Sequence, residues 1–523
     1  MIKNTPYWVL IPSSILTTII IAPLLYLILK SITANSDIWE WIFRWQTLLI
    51  IVRSLTLVAT VSVISLIIAL PLSILTTKTD LPFKSIFTIS HALPLVIPSY
   101  VGAYLFMTAF SPKGLFYKFI SNYFEINSIP NLYGFWGAAI VLSLLNFPYL
   151  FLTLRATLIR IDPEIEESAK LLGLNDFSII YKIILPQLKP AIFSGILIIS
   201  LYTLSDFGAV SLLRFKTFTW AIFLEYETGG SHSAAILSVG LFIIAMKLII
   251  LEALVNKNFR YHSIKSVGQK KPLILKLNKF KIPCIFLCLI VFTFSLLVPI
   301  SVLSFWLVRG IYHGEIVSID YLPIFNSIYI SMLTTITVIL FAIPLSFLTI
   351  RYKSILGKIL ERLSFIGFAL PTISVSLGLV YIGARIGSPI YQSTLMLIIG
   401  CLILCLPVAL GPIKSRLLQI NPNLEDAGKT LGFSNIISTF RITLPILRPG
   451  LVMSSSLVFF VTMKELPAVL FLSPLNFPTL STRIWSYTSE AFFAKAAVPS
   501  LILIFCSSII FAIFLYKSKL DFS

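Results

Sequence analysis

Few residues in this chain combine chemistry with a suggestive position, and two carboxylates stand first among them. Asp206 lies in Ser205-Asp-Phe-Gly-Ala-Val-Ser211 and Glu465 in Lys464-Glu-Leu-Pro-Ala468, each near the end of a long apolar run. An ionisable group at membrane depth is costly and by default faces a partner or a pathway. Two such carboxylates would offer a hard cation the oxygen ligands it prefers. The alternatives are a helix-capping role for Asp206 and a basic partner for Glu465. Lys464 is a poor partner within the same helix, because adjacent helical residues do not face one another. The remaining candidates carry less. His91, His232, His262 and His313 are scattered. Cys284 and Cys288, like Cys401 and Cys405, are four residues apart and share a helix face. Thiolate metal sites gather three or four ligands, so these pairs read as small apolar residues of membrane helices, and no metal ligand is assigned. Nor do they form a disulfide framework. Gly428-Lys429-Thr430 has the ending of a phosphate-binding loop, but Asn423 stands where its first glycine belongs and no strand precedes it. With no catalytic constellation in view, neither catalysis nor a bound cofactor is expected.

The elements that position these residues follow from composition. The chain has 523 residues, 57% of them hydrophobic and 12% charged, and its mean hydropathy is +0.97. Soluble domains are about a quarter charged. A chain this apolar needs lipid as solvent, where only helices and closed barrels satisfy the backbone. The apolar runs are long and do not alternate, so they predict helices. About 20 apolar residues cross the hydrocarbon, and twelve runs qualify: 8–30, 50–76, 86–110, 134–157, 190–211, 234–256, 282–308, 327–350, 361–384, 391–412, 449–472 and 495–516. Pro71, Pro94, Pro344 and Pro371 sit in or beside these runs and are candidate kinks. The fold class is an all-α polytopic membrane protein.

The net charge of +19 is distributed as topology, not as a nucleic-acid surface. With an even number of spans, both termini share a side. That side collects Lys78, Lys84, Arg155, Lys170, Lys182, Lys189, Arg351, Lys414, Arg416, Arg441 and Arg448, together with Arg260, Lys265, Lys270, Lys271 and Lys276 of a mid-chain linker. The positive-inside rule makes it cytoplasmic.

The chain also repeats itself. Ile161-Asp-Pro-Glu-Ile-Glu-Glu-Ser-Ala-Lys-Leu-Leu-Gly173 matches Ile420-Asn-Pro-Asn-Leu-Glu-Asp-Ala-Gly-Lys-Thr-Leu-Gly432 without a gap, and the match runs on through Leu185-Pro186 and Leu444-Pro445. Upstream, Ala69-Leu-Pro71 pairs with Ala342-Ile-Pro344 and Ala92-Leu-Pro94 with Ala369-Leu-Pro371. The first half carries an extra stretch around 111–130. The reading is two six-helix repeats, 1–256 and 282–523, joined by a basic cytoplasmic linker at 257–281. Six spans return the chain to its starting side, so the repeats are parallel.

The best-matched segment is a loop. Asp162-Pro163 and Asn421-Pro422 place a capping side chain before Pro at the first helical position. Glu166, Glu167, Glu425 and Asp426 crowd the first turns, where the helix dipole favours acid. Gly173 and Gly432 fit the helical stop. Each half therefore places a short, glycine-stopped helix on the cytoplasmic side. The spacing resembles the "EAA" loop of permeases in binding-protein-dependent ABC importers: Glu167-Ser168-Ala169, Gly173 and Pro186 in one half, and Asp426-Ala427-Gly428, Gly432 and Pro445 in the other. That resemblance implies docking helices for a dimer of cytoplasmic ATP-binding subunits, ATP hydrolysis in that partner and not in this chain, and alternating access in the bacterial inner membrane.

A second resemblance concerns the substrate. The stretches from Ser205 to Thr219 and from Lys464 through Asn476 to Thr482 are similar to those of fused ferric iron permeases. This implies ferric iron delivered by a periplasmic binding protein, with Asp206 and Glu465 as candidate pathway residues. Thiamine permeases share the fused architecture, so an organic solute is the alternative. An ion-gradient-driven secondary transporter is disfavoured by the doubled loop.

Overall fold

The computed structural model of the chain describes residues 6–35, 38, 40, 44–112, 114–121, 132–159, 161–257, 274–315, 319–352, 355–369, 371–387 and 390–517. Arg260, His262, Lys265, Lys270 and Lys271 of the linker, and residues 122–130 of the extra stretch, lie outside these.

The apolar runs are helices. Among the described residues ten are long and apolar enough to cross a membrane, or eleven if one sharply bent pair counts as a single span. The only β-bridge among them is an isolated one. The difference from twelve lies at the repeated prolines. The run at 86–110 forms Lys84–Ala92, a 3-10 turn Leu93–Val96 and then Ser99–Phe110. The run at 361–384 is likewise divided into Ile355–Ala369 and Thr372–Ile386 around Pro371. Proline lacks the amide donor and pushes the preceding residue out of the helical region. Pro71 and Pro344, by contrast, lie inside the uninterrupted helices Trp45–Lys78 and Tyr321–Ile350. The runs at 190–211 and 449–472 also stop early, as Asp176–Ser205 and Thr439–Met463. Each is followed by a short helix, Gly208–Leu212 or Pro467–Leu472.

These helices have the surface lipid demands. Val52, Leu55, Val63 and Ile67 form an exposed row on one helix, and Phe325, Tyr329, Met332, Ile336 and Leu340 on its repeat counterpart. Bare apolar rows of this length mark a membrane or partner surface. Many buried hydroxyls fold back onto carbonyls one turn earlier, as Ser13 Oγ does to Val9 O (2.8 Å) and Thr76 Oγ1 to Leu72 O (2.8 Å), which satisfies them within their own helix.

The chain forms two compact units. One comprises 1–42, 222–242 and 316–519; the other comprises 43–221 and 243–315. In the first, helix Tyr7–Ile32 packs on Tyr321–Ile350, Ile355–Ala369 and Thr372–Ile386. Gly378 permits this approach, since a Cβ there would lie 2.8 Å from Pro23 Cβ. In the second, helical residues 281–312 pack on Lys84–Ala92 and Ser99–Phe110. The leading helix of each sequence half thus belongs to the unit built mainly from the other half, and a division at 1–256 and 282–523 does not describe the compact units. A helix apolar on every side carries no mark of which neighbours it will choose.

The described end of the linker is held to the second unit. Leu275 N–H donates to Lys78 O (2.7 Å) and Asp80 N–H to Leu275 O (3.1 Å). The Asp80 carboxylate accepts from Leu277 N–H (2.8 Å) and Lys281 Nζ (3.2 Å). The Leu277 amide, with Lys281 beside it, holds the Asp80 carboxyl below its usual range. A depressed carboxyl stabilises the folded form above its ordinary value of about 4, and that contribution fades as pH falls through the lowered folded value. Asp80→Ala is therefore expected to raise deuterium exchange at the Leu275 and Leu277 amides several-fold at pH 7. In the parent, protection should persist at pH 5 and be lost only in stronger acid.

Candidate functional site

The repeated loop folds into the same device in both units. The first short helix is Pro163–Leu171, with Asp162 Oδ1 accepting from Glu164 N–H (3.0 Å). The second is Asn423–Thr430, with Asn421 Oδ1 accepting from Asn423 N–H (3.0 Å). Gly173 (φ +84°) and Gly432 (φ +87°) end them in the left-handed region. There Leu174 N–H reaches Ala169 O (3.1 Å) and Phe433 N–H reaches Gly428 O (3.1 Å). These six-to-one bonds close the helix ends and need a residue free of Cβ strain at the glycine.

A one-turn helix follows each stop and widens into a π-turn, Ile180–Ile184 in one case and Thr439–Thr443 in the other. Pro186 and Pro445 come two residues after these turns. A proline removes the amide that would bond to the carbonyl four residues back and its ring crowds that carbonyl. Those carbonyls belong to Lys182 and Arg441, inside the wide turns, which accommodate the defect.

Each short helix has an inner and an outer face. Inward lie Glu166 and Ala169 in one loop and Gly428, with the less buried Glu425, in the other. A Cβ on Gly428 would sit 2.6 Å from Ile442 Cδ1 and 2.9 Å from Ser438 Oγ, so glycine is what lets this helix lie close to the next segment. Outward lie Glu167 and Ser168, and Asp426 and Ala427. The sequence reading singled out acids and glycines but missed the apolar side chains beside them. Leu172 is 83% exposed and its counterpart Leu431 is 77% exposed. Leu171, Phe177, Tyr181 and Phe440 also stand out from the surface. Their signal was available: they are large apolar residues in otherwise polar loops.

The inward acids have partners. Lys78 Nζ, at the last residue of helix Trp45–Lys78, donates to Glu166 Oε1 at 2.6 Å, with both side chains almost fully buried. Arg351 Nε, just past helix Tyr321–Ile350, donates to Glu425 Oε1 at 2.9 Å. Thr443 Oγ1 also donates to Glu425 (3.0 Å).

The two membrane carboxylates occupy matching breaks. Asp206 follows the long helix and caps the next one, its Oδ1 accepting from Ala209 N–H (2.9 Å) and Val210 N–H (3.4 Å). Thr219 Oγ1 donates to Asp206 O (2.6 Å). Glu465 lies between Thr439–Met463 and Pro467–Leu472, in the other unit. The threonine-rich stretches that follow are pinned alike. Phe218 N–H donates to Ser54 Oγ (3.0 Å) and Leu480 N–H to Ser327 Oγ (2.8 Å). Ser54 and Ser327 hold equivalent places in the repeat. Among the described residues, no group of three or more His, Cys, Asp and Glu is arranged to hold a metal ion.

Sequence comparison places this all-α membrane scaffold, with its doubled, six-to-one-closed loop helix, among the permeases. The model of the binding-protein-dependent transport system inner membrane component family matches residues 62–260 and again 339–518, and the chain belongs to that family. The Fe(3+)-transport system permease protein FbpB 2 of Haemophilus influenzae is 31% identical over 524 residues, which cover 99% of each chain. The ferric transport system permease protein FbpB of Actinobacillus pleuropneumoniae is 26% identical over 81% of this chain and 64% of its own length. The molybdenum transport system permease protein ModB of Haemophilus influenzae is 27% identical over 42% of this chain and 97% of its own length. The doubled family match and the doubled loop agree: two permease repeats are fused in one chain.

Proposed function

We propose that this permease translocates ferric iron delivered by a periplasmic binding protein, driven by ATP hydrolysis in a separate cytoplasmic subunit pair. The observation that carries the substrate is the end-to-end similarity to an Fe(3+)-transport system permease. The doubled loop helix carries the coupling. Glu167 and Asp426 stand on outer faces beside Leu172 and Leu431. An acid-tipped apolar ridge suits a groove with an apolar floor and a basic rim, and two ridges suit two copies of one ATP-binding subunit. The excess of Lys and Arg at the loop end of the chain supports a cytoplasmic position for that end and for both termini. Because the loops lie outside the spans, the motor is assigned to the partner and the gate to this chain. Irregular backbone at membrane depth is tolerated where it is buried in protein or lines a water-filled cavity, and the breaks at Asp206 and Glu465 are taken as the second case.

The test is the ligand of the cognate binding protein. Calorimetric titration with ferric ion and with thiamine is expected to give tight binding of the first alone. Proteoliposomes holding permease, ATP-binding subunit and that binding protein should then take up ferric iron only when ATP is inside. Binding of thiamine without ferric iron would overturn the substrate, and uptake without ATP would overturn the coupling.

A further inference from the structure

The buried acids of the loop helices do a different job from the exposed acids next to them. Glu166 and Glu425 are equivalent in the loop repeat, and Lys78 and Arg351 are equivalent in the upstream repeat, each seven residues after a matched proline, Pro71 or Pro344. The loop match and the upstream match lie in separate segments of the chain, yet the ion pairs join the same two positions in both units. In each case the cation ends a long membrane helix and the acid sits on the inner face of the loop helix.

We infer that Glu166 and Glu425 are positioning residues that tie each loop helix to the end of a long membrane helix, so that a displacement of the loop helix is passed to Trp45–Lys78 and Tyr321–Ile350. The chain already links the loop helix to its flanking spans, Phe135–Leu158 and Asp176–Ser205 in the first loop. The long helix preceding them is not next to the loop helix in the chain, and the ion pair ties the two together non-covalently. Its chemistry suits the task. A buried pair tolerates no loss of one partner, because the other is left as an uncompensated charge away from water. The two members must therefore move together or not at all.

The tie is more deeply buried in the first repeat. Lys78 and Glu166 are 0% and 1% exposed, against 10% and 15% for Arg351 and Glu425. The residues that follow Lys78 are also clamped, Thr79 by its bridge to Leu275 and Asp80 by Leu277 and Lys281. The more buried pair leaves the larger penalty when one partner is lost, so the first tie carries the larger expected effect.

This inference rests on the coupling reading above, and its test separates the two. The complete complex is reconstituted with its binding protein and ferric iron, and uptake is measured per ATP hydrolysed. Glu166→Gln is expected to co-purify with the ATP-binding subunit and to keep hydrolysis within about twofold, because Glu167 and Leu172 are untouched. Its uptake per ATP should fall at least tenfold. Lys78→Glu with Glu166→Lys should recover at least half of the parent ratio. Should a single variant fold poorly, Lys78→Met with Glu166→Leu avoids the unpaired charge and is expected to assemble yet remain uncoupled. Glu425→Gln should show the same defect with a smaller loss. Normal uptake per ATP in the Met–Leu variant would reduce the pair to packing and overturn the inference, as would loss of subunit association in Glu166→Gln. If the parent complex itself shows no ATP-dependent uptake, the coupling reading fails instead.

Discussion

Leu172→Asp combined with Leu431→Asp is expected to abolish association with the ATP-binding subunit. Both leucines are more than three-quarters exposed and stand one residue before the glycine stops. An exposed leucine of this kind is stable in the free permease only as a cost. Full burial against a partner is worth about 1.5–3 kcal/mol per side chain, and a buried carboxylate with no counter-charge reverses the sign. Two sites then weaken binding by well over 100-fold, since about 1.4 kcal/mol is a factor of ten. The permease itself should lose little, because both side chains face solvent and an acid at a helix C-terminus costs only about 0.3–1 kcal/mol. Affinity capture of the ATP-binding subunit by the variant, with thermal stability in detergent as the control, checks both halves of the statement. Charge reversal at Glu167 and Asp426 should act in the same direction but less strongly, because rim charges contribute more to encounter than to the bound state. Equal capture by the double-aspartate variant and the parent would remove these loops from the subunit interface.

How much of this was legible in the sequence depends on what each residue has to satisfy locally. Asp162-Pro163 and Gly173 announced the ends of a helix because capping and left-handed stops are contracts between near neighbours, and the structure has them where the residues stand. Pro94 and Pro371 were legible as candidate kinks but not as the breaks that divide their runs. Pro71 and Pro344 were not distinguishable from them, since a proline in mid-helix is tolerated when neighbours and hydroxyls re-satisfy the freed groups. The partner of Glu166 was hidden. Lys78 is 88 residues away, and in the sequence it read as one more basic residue of the cytoplasmic side. The repeat contained the information: a basic residue seven places after each matched proline, and an acid at each matched loop position. Only the fold shows that these two matches meet. The partners of helix Tyr7–Ile32 were hidden more deeply, because its apolar pattern names lipid or protein without choosing between them.

The second large effect separates two carboxylates that the repeat makes equivalent. Asp206 spends its Oδ1 on the amides of Ala209 and Val210. Asn is as good as Asp in such a cap, while Ala costs about 0.5–2 kcal/mol. Asp206→Asn should therefore keep ferric iron uptake within about twofold of the parent, and Asp206→Ala should lower it together with thermal stability. Glu465 stands two residues before Pro467, which opens the next helix and has no amide of its own to donate. Its place at a break in the membrane segment suits an interaction with a passing cation. At a separation of about 5 Å and an effective dielectric near 20, a carboxylate and a unit charge attract by about 3 kcal/mol, and more for a trivalent ion. Glu465→Gln keeps the shape and removes that term, so uptake should fall by more than tenfold while the ATP-binding subunit still co-purifies. Radiolabelled ferric uptake into proteoliposomes measures the contrast. An active Glu465→Gln beside an inactive Asp206→Asn would invert the assignment and place the pathway charge in the other unit.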